Sequence, residues 1–140
     1  MKNILYTALI LILTVAVSSS CDKMDSNGDL DGMWQMTRWE KRADQTIVAD
    51  NSSGFYYHFK LDLMKFSNVN ESTYYLSRFQ HIGDSLFIGE VYKSPFDEVV
   101  PVEELKPFGG DVHGKFRILE LSSSKMILCN TENILSFRKY

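Results

Sequence analysis

Phe55-Tyr56-Tyr57-His58-Phe59-Lys60-Leu61-Asp62-Leu63 is the stretch whose reading decides the fold. Successive side chains of an extended chain point to opposite sides. Phe55, Tyr57, Phe59, Leu61 and Leu63 therefore share one face, and Tyr56, His58, Lys60 and Asp62 share the other. The first set is predicted to face a core, within a strand over residues 55–66. Outward from this stretch, short apolar-aromatic runs bounded by turn residues predict further strands over 32–41, 72–82, 85–93, 114–121, 125–130 and 134–139. Over 72–82, Tyr75 and Phe79 are candidates for the inner face, but Tyr74 and Leu76 on the other side leave the register open. From Gly32 onward, apolar positions nowhere recur at helical spacing for more than about one or two turns.

The connections point the same way. Gly83-Asp84 joins two long strands tightly, and residues 122–124 and 131–133 join the last three. Residues 42–54 are polar and end in Asn51-Ser52-Ser53-Gly54, which reads as a loop. Residues 94–112 hold all three prolines, Pro95, Pro101 and Pro107, followed by Gly109-Gly110. Pro101 could open a single helical turn there, or an edge strand could pass; one short strand plus loop is the expectation. Sequential strands with no room for crossover helices make an all-β meander. About eight of them can close into an antiparallel up-and-down barrel, and closure removes the open edges that invite aggregation.

The N-terminus carries a different signal. Lys2 precedes a largely apolar run over residues 4–17, then Ser18-Ser19-Ser20-Cys21. This is the outline of a signal peptide, and the run is too short for a bilayer-spanning helix, which needs roughly 20 residues. Three small residues ahead of a cysteine resemble the lipobox of bacterial lipoproteins. That resemblance implies removal of residues 1–20 and a lipid on Cys21, anchoring the protein to a membrane of the cell envelope, with the outer membrane expected. Residues 21–31 contain Asp22, Asp25, Asp29 and Asp31 without apolar periodicity and read as a flexible acidic tether. The tether loosely resembles the surface-export signals of some lipoproteins, leaving periplasm and cell exterior both open. Residues 32–140 form the remaining domain.

Charge and cysteine count exclude several classes. The chain has 15 basic and 18 acidic residues. Without the signal segment, which holds only Lys2 among charges, 14 face 18, a balance of −4. Nucleic acid is not an expected partner, because binding it needs clustered positive charge. With Cys21 lipidated, Cys129 has no disulfide partner in the chain and is expected to be a small buried hydrophobe.

Leu30-Asp31-Gly32-Met33-Trp34 and the closing Leu135-Ser136-Phe137-Arg138-Lys139 carry a family resemblance. A glycine, one spacer and a tryptophan at the start of a β domain resemble the opening motif of lipocalins and their calycin relatives. The closer likeness is to the small lipocalin-like lipoproteins of bacterial envelopes, and it spans residues 30–140. It implies a barrel whose closed end is plugged by Trp34, with Gly32 turning the chain into the first strand and Arg138 packing across the indole.

Phe55, Tyr57, Phe59, Leu61, Leu63 and Phe79 would line an apolar ligand site if the barrel holds a cavity, and would be plain core if it is filled. The expected function is non-catalytic binding of a small apolar or amphipathic molecule. The alternative is a filled barrel docking another envelope protein or a glycan through loops 42–54 and 94–112. A cavity of roughly 300 Å³ or more favours the carrier; a dry, side-chain-filled interior favours docking. No metal, cofactor or enzymatic role is expected. Asn27-Gly28-Asp29-Leu30-Asp31-Gly32 mimics the start of a calcium loop, but Arg38 stands where that loop needs a bidentate glutamate. His58, His81 and His113 lack zinc spacing, and no nucleophile elbow or phosphate loop is present. Asp84-Ser85-Leu86 resembles a three-residue O-glycosylation site and reads first as a turn.

Overall fold

The computed structural model describes residues 27–50, 54–95 and 98–140. The signal segment and Cys21 lie outside them. A 3-10 turn (Gly28–Leu30) leads into β1 (Gly32–Lys41), followed by β2 (Ile47–Ala49), β3 (Phe55–Lys60), β4 (Leu63–Asn68), β5 (Tyr74–Ile82) and β6 (Ser85–Ser94). Then come β7 (Glu98–Val99), helix α1 (Val102–Leu105), a second 3-10 turn (Lys106–Phe108), β8 (Gly114–Leu121), β9 (Lys125–Cys129) and β10 (Asn133–Lys139). Antiparallel pairing runs β1-β3-β4-β5-β6-β8-β9-β10 and returns to β1, so eight strands close a barrel. The seam is long, from Trp34 opposite Lys139 to Lys41 opposite Asn133. The two remaining strands sit off the ring, β2 on β1 and β7 on β6. The loop expected over 42–54 therefore contains a short strand, and 94–112 contains both a strand and a helical turn.

The strand expected over 55–66 is instead a hairpin. Its two-residue turn is Leu61-Asp62, with Phe55 opposite Asn68 and Lys60 opposite Leu63. Apolar-polar alternation continues unbroken through Leu61-Asp62-Leu63, so the turn leaves no gap in the pattern. Once the chain reverses, Leu63 shares the outward face of its cross-strand partner Lys60, and Met64 and Phe66 take the inward positions. Leu61 and Leu63, expected inside, are consequently exposed, while Met64 and Phe66 are fully buried. Leu61 holds φ 57, a conformation that costs a side chain with a Cβ about 1–2 kcal/mol and that two-residue hairpins usually give to Asn, Asp or Gly. Leu61→Asn is expected to raise unfolding stability by about 0.5–1 kcal/mol, which urea denaturation would measure; a lower midpoint would refute strain at this turn.

The closed end corrects one residue of the expected plug. Trp34 is fully buried, and its Nε1–H donates to the Leu30 carbonyl at 2.8 Å. Its cation, however, is Lys139, whose Nζ lies 4.8 Å from the ring centroid and also donates to the Asp29 carbonyl at 2.7 Å. Arg138 points outward, its Nε–H donating to Gln35 Oε1 at 2.8 Å. Strand alternation decides this: Leu135 and Phe137 face inward and Lys139 continues their row, whereas Arg138 falls on the other face. Gly32 has φ 120, and a Cβ there would sit 2.9 Å from Lys139 Cε. The glycine thus leaves the gap through which the lysine crosses the indole.

Candidate functional site

At the other end of the barrel, opposite the Trp34 plug, the chain folds into its own mouth. β6 runs past its pairing with β8, which ends at Ile88 and Gly114. β7 then folds back on Tyr92 and Lys93, and Val100 N–H donates to the Val91 carbonyl at 2.9 Å. From there residues 100–112 form a strap whose Val100, Leu105, Phe108 and Val112 are buried. The Phe108 ring meets Phe55, Tyr75 and Phe66 edge-on, at centroid distances of 5.0, 5.4 and 6.0 Å. Its backbone carbonyl accepts from the Tyr57 hydroxyl at 2.6 Å, and burial pushes that phenol's pKa up.

Polar contacts fasten both ends of the strap. Glu104 Oε1 accepts from Lys93 Nζ at 2.6 Å and from the Tyr75 hydroxyl at 2.9 Å. Beyond Phe108, Asn130 Nδ2 donates to the Asp111 carbonyl at 2.9 Å, and Asn133 Nδ2 to the Gly109 carbonyl at 3.3 Å. Asn133 Oδ1 in turn accepts from Trp39 Nε1 at 2.9 Å. Satisfied buried networks of this kind fix one arrangement. Gly109 and Gly110 take φ 134 and 82, and a Cβ would come within 2.6 Å of Leu135 at the first and 2.4 Å of Asn133 at the second. The glycines permit that close approach.

The Glu104 attachment is pH-dependent. Its hydrogen bond from Lys93, then that from Tyr75, lowers the Glu104 pKa below the ordinary 4.5, and the same contact raises Lys93 above 10.5. A carboxylate with a lowered folded pKa stabilises fully above its unfolded value and loses that contribution as pH falls through the folded one. The lysine contribution is complete below 10.5 and is lost as pH rises through its raised value. Tyr75, pushed up to about 12 by burial and then by Glu104, disfavours the fold in the same alkaline range. Amide exchange over residues 102–108 is expected to lose protection as pH falls below 4.5 and through the lowered Glu104 value, and Glu104→Gln to remove that acid dependence. Acid dependence unchanged in Glu104→Gln would sink the assignment.

Of the residues expected to line a ligand site, Tyr57, Phe59 and Phe79 meet inside. Tyr57 and Phe59 are 6.4 Å apart between ring centroids, Phe59 and Phe79 5.2 Å. Phe55 stands half-buried at the mouth under Phe108. Leu61 and Leu63 lie outside. Phe66 and Phe137, which the sequence reading missed, contact Tyr57 at 4.9 and 4.7 Å. With Trp34, Met36, Met64, Phe116 and Leu128 from the walls and Leu105 and Phe108 from above, these side chains occupy the interior. One groove of about 410 Å³ lies on the outer wall, lined by Leu63, Leu76, Ser77, Arg78, Glu90 and Tyr92, and another of about 620 Å³ lies at the mouth end, lined by Lys41, Arg42, Ala43, Thr131, Glu132 and Asn133. On β5, Tyr75, Ser77 and Phe79 turn inward and Tyr74 and Leu76 outward, settling the open register. Cys129 is free and buried, though on the outer face beside Arg117 and Ile134 rather than in the core. Ser85 is buried in its turn, its hydroxyl donating to Asp84 Oδ1 at 3.1 Å.

A closed eight-stranded antiparallel barrel with a tryptophan plug invites comparison with known families. A family model described as a lipocalin-like domain matches residues 13–140. The chain belongs to the lipocalin-like family. Solved structures agree in fold. A lipocalin-like protein from Bacteroides uniformis superposes on this lipocalin-like protein with a TM-score of 0.60 at 23% identity, over 81% of this chain and 100% of that one. An uncharacterised protein from Bacteroides eggerthii gives 0.57 at 20% identity, over 79% and 99%. A protein from Burkholderia xenovorans gives 0.52 at 13%, over 79% and 82%. No curated protein matches this sequence. The lipocalin-like barrel is a fold of binding proteins rather than of catalysts, and in this member the room a ligand would use holds aromatic side chains.

Proposed function

We propose that this lipocalin-like protein is an exported lipoprotein, held in the cell envelope by lipid on Cys21, that recognises a polypeptide partner with the rim of a filled barrel. The filled interior carries the reading. Tyr57, Phe59, Phe66, Phe116 and Phe137 leave no room for a guest without displacement of the strap. Recognition then falls to the surface, and the mouth end is the part built for it. Ile47 and Val48 on β2, Val69 between β4 and β5, and Val99 and Val102 at the strap are all exposed there. Among the described residues β2 pairs only with β1, so its far edge offers backbone donors and acceptors to an extended segment. Branched aliphatics beside a free strand edge suit a polypeptide better than a glycan, which stacks on aromatic faces.

The small-molecule carrier remains the second reading, and the strap is the observation that favours it. Leu105 and Phe108 enter the barrel from a segment bounded by Pro101 and Gly109-Gly110, and its withdrawal would bare an aromatic chamber. Native mass spectrometry separates the two: a co-purified apolar or amphipathic molecule would favour the carrier, and its absence the filled barrel. Photo-crosslinking in intact cells tests docking directly. The same envelope protein should be captured from Val48 and Val102 and not from Phe87 on the outer wall; capture equal at all three would end the rim proposal. Cys21→Ala should move the protein out of the membrane fraction, and retention without detergent would overturn the anchor.

A further inference from the structure

The plugged end of the barrel carries apolar residues that neither the core nor the rim explains. Leu61 is 47% exposed at the β3-β4 turn, Leu63 43% beside it and Ile82 61% at the β5-β6 turn. Pairing places all three at the Trp34 end: Lys60 lies opposite Leu63 and Ile82 opposite Ser85, on the side of the barrel where Trp34 meets Lys139. Leu61 stands out twice, since it exposes an apolar side chain and holds φ 57 to do so. A turn selected for folding alone would use asparagine or glycine there. Strain retained at an exposed residue is a reason to look for function.

The chain's own path says what covers this end. Asn27, the first described residue, donates from Nδ2 to the Leu61 carbonyl at 2.7 Å. Cys21 is six residues earlier, a span of at most about 20 Å. If the lipid on Cys21 sits in a bilayer, the Leu61 turn lies within that distance of its surface. The carboxylates at these turns do not repel such a surface strongly, because Asp62 pairs with Arg78 and Asp84 with Arg117, although Asp29 and Asp31 close the acidic stretch read as the tether.

We infer that the plugged end docks on the bilayer that holds the lipid anchor, with Leu61 and Ile82 seated among the lipid head groups. The inference rests on the lipid-anchor reading of Cys21, and its orientation leaves the mouth rim facing away from the membrane. Apolar contact rather than charge drives it, so zwitterionic lipid suffices.

The test uses the full mature lipoprotein in phosphatidylcholine vesicles, in a Cys129→Ala background. Leu61→Cys, Ile82→Cys and, as control, Val69→Cys each receive an environment-sensitive dye, the Cys21 thiol being consumed by its lipid. Emission at 61 and 82 should shift to the blue and be quenched by nitroxide-bearing lipids, with neither change at 69. Adding Leu61→Asn, which keeps the turn, should weaken quenching at 82. Labels at 61 and 82 that behave like 69 on a protein that still floats with the vesicles overturn the docking alone. A protein that stays in the aqueous fraction overturns the anchor, and the docking with it.

Discussion

Trp34→Ala is expected to lower unfolding stability by about 3–5 kcal/mol, a large share of the 5–15 kcal/mol typical of a domain. The indole is fully buried under Lys139 and above Leu30, so truncation leaves a void that the 3-10 turn cannot fill without breaking its hydrogen bonds. The Leu30 carbonyl also loses the Nε1–H that satisfies it. Arg138→Ala is the matched control. That side chain is exposed and, among the described residues, hydrogen-bonds to Gln35 alone, so a change within about 0.5 kcal/mol is expected. Urea titration of the three proteins decides: an unchanged midpoint for Trp34→Ala would remove the plug from the account, and an equal loss for Arg138→Ala would show that the wrong cation has been placed over the ring.

Phe108→Ala has the second largest expected effect, about 3–5 kcal/mol if the strap holds its position. Phe108 touches Phe55, Phe66 and Tyr75, and the networks at Glu104, Asn130 and Asn133 would keep the backbone in place over an emptied site. Apolar voids of this kind stay dry and take up small apolar molecules. The variant should therefore bind benzene or xenon where the parent does not, read by ligand-dependent thermal shift. Uptake by the parent alone would mean that the strap opens unaided, favouring the carrier over the filled barrel. Destabilisation without uptake would mean that the strap collapses into the gap.

The barrel itself was legible because its signals are local. Alternation marks β1, β5, β6 and β8 to β10, and Gly83-Asp84 marks its turn by composition. The Leu61-Asp62 turn was not legible, since neither residue breaks the alternation and a left-handed leucine has no signature in sequence. One missed turn reversed the faces of Leu61 and Leu63 and hid Met64 and Phe66. The residue over the tryptophan was missed by a single step, which is all that separates the inside of a strand from its outside. The strap was missed for a different reason. Leu105, Phe108 and Val112 follow no period, because each is placed by the shape of the mouth rather than by a repeating backbone; only Gly109-Gly110 hinted at a close approach.

The long β1-β10 seam has a kinetic meaning. Its two sides are separated by nearly the whole domain, and the Tyr140 N–H still donates to the Met33 carbonyl at 2.8 Å. No shorter piece of chain can close the ring. Contacts of such sequence separation slow folding toward the millisecond-to-second range. A chain emerging from a ribosome keeps the ring open until β10 is free. It also means that a product cut short before β10 presents two bare strand edges, the kind of surface that seeds aggregation.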